Sequence, residues 1–106
     1  MNKIQGKIIN HDQSFIGEII FENSIKSIKK LNISNAENYI IPGFIDLHCH
    51  GGNGFDTMEG IDSINKMASY HLSRGTTSLL ATTWTSTFEN TYIALKGFNK
   101  LINENT

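Results

Sequence analysis

Pro42-Gly43-Phe44-Ile45-Asp46-Leu47-His48-Cys49-His50, followed by Gly51-Gly52-Asn53-Gly54, is the stretch on which the reading of this chain turns. A strand alternates its side chains, so Asp46, His48 and His50 fall on one face while Ile45, Leu47 and Cys49 fall on the other. Two imidazoles two residues apart on a strand project side by side and can reach one ion. Neutral imidazole nitrogens suit zinc and similar divalent metals. A bare His-x-His pair is weak by itself, because two histidines also sit hydrogen-bonded on a half-buried strand. The company it keeps strengthens the metal reading. Pro42-Gly43 opens the strand, an acid stands two residues before His48, and the glycines after His50 let loop backbone approach a ligand closely. Imidazoles on one buried face also need partners to avoid a desolvation cost, and a metal supplies one.

Beyond the glycines the apolar period becomes helical. Ile61, Ile64, Met67 or Ala68, and His71 or Leu72 fall on one face, and Gly75 suits the position that closes such a helix. Thr76-Thr77-Ser78-Leu79-Leu80-Ala81-Thr82-Thr83 reads as a strand. Ser86-Thr87-Phe88-Glu89 has the spacing of a capping box with Ser86 as N-cap. The helix it opens carries Phe88, Tyr92, Leu95, Phe98, Leu101 and Ile102 toward one side, and the Asn and Glu residues at its tail, Asn103, Glu104 and Asn105, suggest fraying. Strand, helix, strand, helix predicts parallel strands with helical crossovers. In parallel barrels the carboxyl ends of the strands carry the active site, and His48 and His50 stand at such an end.

Ahead of Pro42 the pattern is short and punctuated. Ile4, Ile8 and Ile9, then Phe15, Ile16, Ile19, Ile20 and Phe21, then Ile25, Ile28, Leu31 and Ile33 form three apolar stretches separated by turn-prone residues. Three or four short strands, paired as antiparallel hairpins, are expected there, and Tyr39-Ile40-Ile41 leads into the Pro-Gly pair. No internal repeat or low-complexity segment is visible.

Composition narrows the function classes. The 106 residues carry a net charge of −1 with 39% apolar and 18% charged residues, an ordinary globular balance. No basic face of the kind a phosphate backbone requires is present, so nucleic acid is not an expected partner. The basic cluster of Lys26, Lys29 and Lys30 reads as a solvated strand edge. Cys49 is the one cysteine, which excludes an internal disulfide and makes a reducing, cytoplasmic setting the expectation. The amino terminus lacks the apolar core of a secretion signal, and no apolar run approaches the roughly 20 residues of a membrane span.

The segment from Pro42 to His50 resembles the first barrel strand of the amidohydrolase superfamily. Its continuation, His50-Gly51-Gly52-Asn53-Gly54-Phe55-Asp56-Thr57-Met58, resembles the N-acetylglucosamine-6-phosphate deacetylase family more narrowly, as does Arg74-Gly75-Thr76-Thr77-Ser78-Leu79-Leu80-Ala81-Thr82-Thr83. The likeness runs from about residue 39 to residue 90 and favours this family over dihydroorotase, hydantoinase or nucleobase deaminases. It implies an α/β fold: an incomplete metal-dependent (β/α)8 TIM barrel, represented by its first two βα units in residues 42–106, preceded by strands of a small β-sandwich in residues 1–41. It implies hydrolysis of the acetamide of N-acetylglucosamine 6-phosphate to glucosamine 6-phosphate and acetate, with a divalent metal cation, zinc or iron, as cofactor. His48 and His50 match the first-strand pair of metal ligands, and their presence points to the two-metal or mixed type rather than to members that work with one ion.

The family's other ligands, a glutamate and two histidines, come from later strands, as does its catalytic aspartate. None has a counterpart before Thr106, so no catalytic residue is assigned here and the substrate-binding residues stay open. A barrel of this kind takes roughly 250 residues, and the expectation is an amino-terminal fragment, inactive as it stands. One chain of a split amidohydrolase with another amide or ring substrate, completed by a complementary chain or a homo-oligomer, and a non-enzymatic remnant module are the alternatives.

The remaining polar residues have plainer readings. His11 falls in a predicted turn and is expected at the surface, while His71, on a helix packing outside the barrel, is expected at the core edge. Asp46 either hydrogen-bonds a ligand histidine or pairs with a basic group from elsewhere in the barrel, a structural role being favoured. Asp56 either touches substrate or caps the segment after it. Trp84 and Thr85 lie past the second strand on the active-site side, where packing explains the Trp. Cys49 faces away from the histidines, as a buried hydrophobe does.

Overall fold

A computed structural model describes residues 1–104 and divides the chain into two compact units, one spanning Met1–Pro42 and the other beginning at Gly43. The fold is α/β. Of the frayed tail expected from the sequence, Asn105 lies outside the described residues.

In the first unit β1 (Asn2–Ile9), β2 (Ser14–Phe21), β3 (Ile25–Lys30) and the short β4 (Tyr39–Ile40) form one sheet in the order β3-β2-β1-β4. The two hairpins are antiparallel, with Ile9 facing Ser14 across the first turn and a register irregularity at Ile20/Phe21 in the second. Tight connections fix this register, as short hairpin loops do. The fourth strand departs from the hairpin expectation: β4 runs parallel to β1, pairing Lys7 with Tyr39 and Ile8 with Ile40. A crossing loop rather than a hairpin turn precedes β4, and parallel pairing requires such a connection. Ile8 and Ile19 are the buried apolar residues of this sheet. His11 stands at the surface, beside Asp12 at 3.8 Å.

The second unit contains β5 (Phe44–Cys49), β6 (Gly51–Gly52), β7 (Phe55–Asp56), a 3-10 turn (Thr57–Glu59), α1 (Ile61–Ser73), β8 (Thr76–Ala81) and α2 (Phe88–Glu104). β5 and β8 pair in parallel, with Phe44 opposite Thr76 and Cys49 opposite Ala81. Between them α1 makes the crossover and ends where the Arg74 and Gly75 amides donate to the His71 and Leu72 carbonyls at 3.0 Å. Its buried stripe is Ile64 and Met67 with Ser63, on the face the spacing indicates. Cys49, Ile64 and Met67 form the core, flanked by Phe55, Leu79, Ala81, Phe98 and Leu101.

The glycine-rich loop is more structured than the sequence reading allowed. β6 and β7 form a miniature antiparallel hairpin turned by Asn53 and Gly54, whose φ angles are 53° and 79°. Positive φ at both central residues defines the turn for which Asn-Gly is the favoured pair.

The second helix starts one residue later than the capping-box spacing suggests. Thr87 is the cap: its Oγ1 accepts from the Asn90 amide at 3.2 Å, while the Ser86 hydroxyl takes the Asn90 side-chain amide instead. Serine and threonine both cap well, and the hydrogen bond decides between them. The buried face of α2 is also rotated from the expected one. Ala94 is fully buried and Phe98 and Leu101 join the core, but Phe88, Tyr92, Leu95 and Ile102 are exposed. Close approach to the start of α1 selects small residues here, since a Cβ at Gly97 would stand 3.3 Å from the Ile61 nitrogen. Phe88 and Tyr92 stack on one another at the surface instead, ring centroids 6.1 Å apart. The strand after α1 is shorter than its sequence pattern, because Thr82 and Thr83 lie beyond its last ladder pair.

Candidate metal centre

His48 is near the end of β5 and His50 is the first residue past Cys49, where the strand stops. Strand alternation brings the two rings to one side, as the sequence predicts. Their Nε2 atoms lie 2.9 Å apart, with the rings edge to face and centroids 4.6 Å apart. Cys49, between them, points the other way and is buried. Asp46 precedes the pair and its Oδ1 accepts from the His48 backbone amide at 3.0 Å, so its carboxylate steadies the strand end through backbone, not through an imidazole.

The His50 ring is held by a defined partner. Nδ1 lies 3.0 Å from the Thr82 carbonyl oxygen, just past β8. A carbonyl only accepts, so Nδ1 carries the proton and Nε2 presents a lone pair. Donation of the second ring N–H to a backbone carbonyl is the arrangement that orients metal-bound histidines. Without an ion, His48 completes the contact by donating from its Nε2. With its proton on Nδ1 instead, both Nε2 lone pairs converge on one point. The donor set therefore fits a divalent cation. It supplies two ligands: among the described residues no group of three or more His, Cys, Asp or Glu side chains is gathered that could hold a metal. Trp84, expected as packing, lies beside His50 with ring centroids 6.1 Å apart and remains half exposed.

Two networks fix the backbone around His50. In one, Thr57 is fully buried; its amide donates to the His50 carbonyl at 2.9 Å and its hydroxyl to the Thr82 carbonyl at 2.7 Å. In the other, His71 Nε2 lies 3.1 Å from the Gly51 carbonyl and 3.4 Å from Cys49 Sγ. The His71 ring occupies the space a side chain at residue 52 would need, since a Cβ on Gly52 would fall 2.5 Å from Nε2. His71 is thus more than a core-edge histidine: it pins the residues on either side of His50. Asp56 caps the 3-10 turn, accepting from the Met58 amide at 2.7 Å, while its own amide donates to Glu59 and Ser63. Burial pushes the Cys49 thiol above its ordinary value of 9.0, Asp46's charge adds to this, and a hydrogen bond with the Gly51 backbone opposes it. A thiol so shifted is a packing group rather than a nucleophile.

Sequence reading placed His48, His50 and Cys49 correctly in space and missed Thr57 and the roles of His71 and Thr82. Asn53-Gly54 offered a signal for the hairpin that brings Thr57 back under the strand end. The Thr82 partner is a backbone carbonyl, which any residue type provides.

No protein-family model matches the chain. An α/β chain with a histidine pair at the end of a parallel strand is the class that fold and site define. Among curated proteins it is 44% identical over 61 residues to N-acetylglucosamine-6-phosphate deacetylase of Bacillus subtilis, an overlap of 57% of this chain and 15% of that protein. It is 38% identical over 58 residues to the Lysinibacillus sphaericus protein of the same name. The crystal structure of N-acetylglucosamine-6-phosphate deacetylase from Thermotoga maritima superposes with a TM-score of 0.87 at 29% identity, covering 98% of this chain and 29% of that one. Over these residues the chain is similar to the N-acetylglucosamine-6-phosphate deacetylases. It spans about 15% of the length of the curated relatives it matches.

Proposed function

We propose that this chain carries the first-strand metal ligands of a metal-dependent deacetylase. The enzyme hydrolyses the acetamide of N-acetylglucosamine 6-phosphate to the amine and acetate. Residues 1–41 are then part of a small β-sandwich, and residues 42–106 begin a (β/α)8 barrel whose first βα units are β5–α1 and β8–α2. The observation that carries this reading is the His48–His50 pair, Nε2 atoms 2.9 Å apart, with the second ring locked to the Thr82 carbonyl. The names and overlap of the relatives support the substrate class, an amino-sugar phosphate. The free thiol of Cys49 supports a reducing, cytoplasmic setting. Among the described residues no helix is long and apolar enough to cross a membrane.

When bound, a divalent cation such as zinc or iron acidifies a water and polarises the acetamide carbonyl. The chain's own part is to hold two imidazole lone pairs in register and to keep their rings from turning. Catalytic zinc sites usually take three protein ligands. Two leave the ion weakly held, so further donors and the catalytic acid–base group come from other polypeptide, in the same protein or a complementary chain.

Titrating the 106-residue chain with zinc against a chromophoric chelator tests this. Weak binding of one equivalent is expected, abolished in the double variant His48→Ala/His50→Ala, with no acetate released from N-acetylglucosamine 6-phosphate. Unchanged zinc binding in the double variant would overturn the ligand assignment. Turnover by the chain alone would overturn the two-donor reading.

A further inference from the structure

The hydrogen bonds beneath His50 form a closed circuit. The Thr57 amide donates to the His50 carbonyl at 2.9 Å, the Thr57 hydroxyl donates to the Thr82 carbonyl at 2.7 Å, and His50 Nδ1–H donates to that same carbonyl at 3.0 Å. A carbonyl oxygen has two lone pairs, and here both are taken. The Thr82 amide in turn donates to the Cys49 carbonyl at 2.7 Å, which ties the acceptor to the strand that bears the histidines. One residue thus grips His50 at both ends, by its backbone directly and by its ring through a shared acceptor.

We propose that Thr57 is a positioning residue for His50: its buried hydroxyl aims the Thr82 carbonyl and thereby fixes which His50 nitrogen faces the metal. The inference rests on the reading of His48 and His50 as ligands. The residue type follows from the geometry. A fully buried hydroxyl needs a partner, and threonine, stiff at χ1, points it in one direction. Asp56 caps the 3-10 turn that starts at Thr57 and so holds its backbone, leaving the hydroxyl as the adjustable part of the link. Remove it, and the Thr82 peptide loses one of the two donors that orient its oxygen. His50 then gains ring freedom, and its Nδ1–H form loses part of its advantage.

Three forms of the 106-residue chain distinguish positioning from mere structure: wild type, Thr57→Val, which keeps the shape, and Thr57→Ser, which keeps the hydroxyl. Long-range proton–nitrogen spectra of the imidazoles, recorded without metal, read the tautomer. His50 is expected as a single Nδ1–H form in wild type and Thr57→Ser, and as a mixture in Thr57→Val. Zinc affinity by chelator competition should fall about 10- to 100-fold in Thr57→Val, as it does when outer partners of metal ligands are lost, and recover in Thr57→Ser. A single Nδ1–H form in Thr57→Val, or an equal loss in Thr57→Ser, overturns the proposal. So does loss of the folded circular-dichroism spectrum in Thr57→Val, which makes the residue structural. Absence of zinc binding in wild type overturns the deacetylase reading instead, and the metal-free tautomer comparison still decides the role of Thr57.

Discussion

Apart from the short parallel pairing of β4 with β1, residues 1–42 close their hydrogen bonds between neighbouring hairpin strands, whereas the stretch from Gly43 closes them across a helical crossover. In the first region Ile9 faces Ser14 and Phe21 faces Ile25, so turns set the register. In the second, Phe44 meets Thr76 only after α1 has intervened. The chemistry goes with the second pattern. A parallel pair ends both strands on the same side, which puts the Thr82 carbonyl beside His50 and gives the ring its partner. A hairpin ladder offers no such meeting of strand ends, and the first region accordingly holds no comparable cluster among its described residues. Its polar contacts, such as the exposed Lys3 with the largely covered Glu18 at 3.3 Å, lie near the surface, where ion pairs are worth little individually.

The contrast is sharpest in the cores. Met67 is the largest fully buried apolar side chain and joins Cys49 and Ile64 beneath the histidine strand. Met67→Ala removes its contacts and leaves a cavity, so a loss of about 2–5 kcal/mol in unfolding free energy is expected. Denaturant unfolding measures it, and hydrogen exchange locates it: β5, β8 and α1 should lose protection first. Equal loss in β1 and β2 would break the comparison.

Ile8→Val asks the same of the first sheet with a milder cut. Ile8 is buried at 3% exposure, and trimming one methylene there should cost about 0.5–1.5 kcal/mol. A loss as large as that of Met67→Ala would show that the first core is the more tightly packed of the two.

The same division explains what could be read beforehand. The periods of Ile61, Ile64 and Met67 and the alternation through His48 and His50 are local and survive folding unchanged. The α2 face is not local. Phe88 and Tyr92 are the larger side chains, yet they are exposed while Ala94 is buried, and α1 comes close to the helix at Gly97. β4 has two residues and no period to detect, so its parallel pairing with β1 leaves no mark in the sequence. At the site the pairing of His48 with His50 on one face was legible, whereas its support was not. Thr57 and His71 come from separate elements, and Thr82 contributes only backbone.

The smallest effect expected separates the two regions by pH. In the first sheet the Gln5 side-chain amide donates to Glu18 at 2.7 Å, and Lys3 stands beside it; together they hold the Glu18 carboxyl below its ordinary value of 4.5. The unfolded chain therefore takes up that proton first. This contribution is complete above pH 4.5 and is lost as pH falls through the lower, folded value. Because Lys3 is exposed and salt screens the pair, the effect is modest. Cys49 works in the opposite sense. Burial raises its thiol above 9.0, so the unfolded chain ionises first, and its contribution, complete below pH 9, is lost as pH rises through the folded value. Melting temperature followed from pH 3 to 11 in wild type, Glu18→Gln and Cys49→Ser checks both signs. Glu18→Gln should flatten only the acid limb and Cys49→Ser only the alkaline limb. If Cys49→Ser leaves the alkaline limb as steep as before, the thiol is not held in a dry core, and the second region is closer to the open first sheet than its packing indicates.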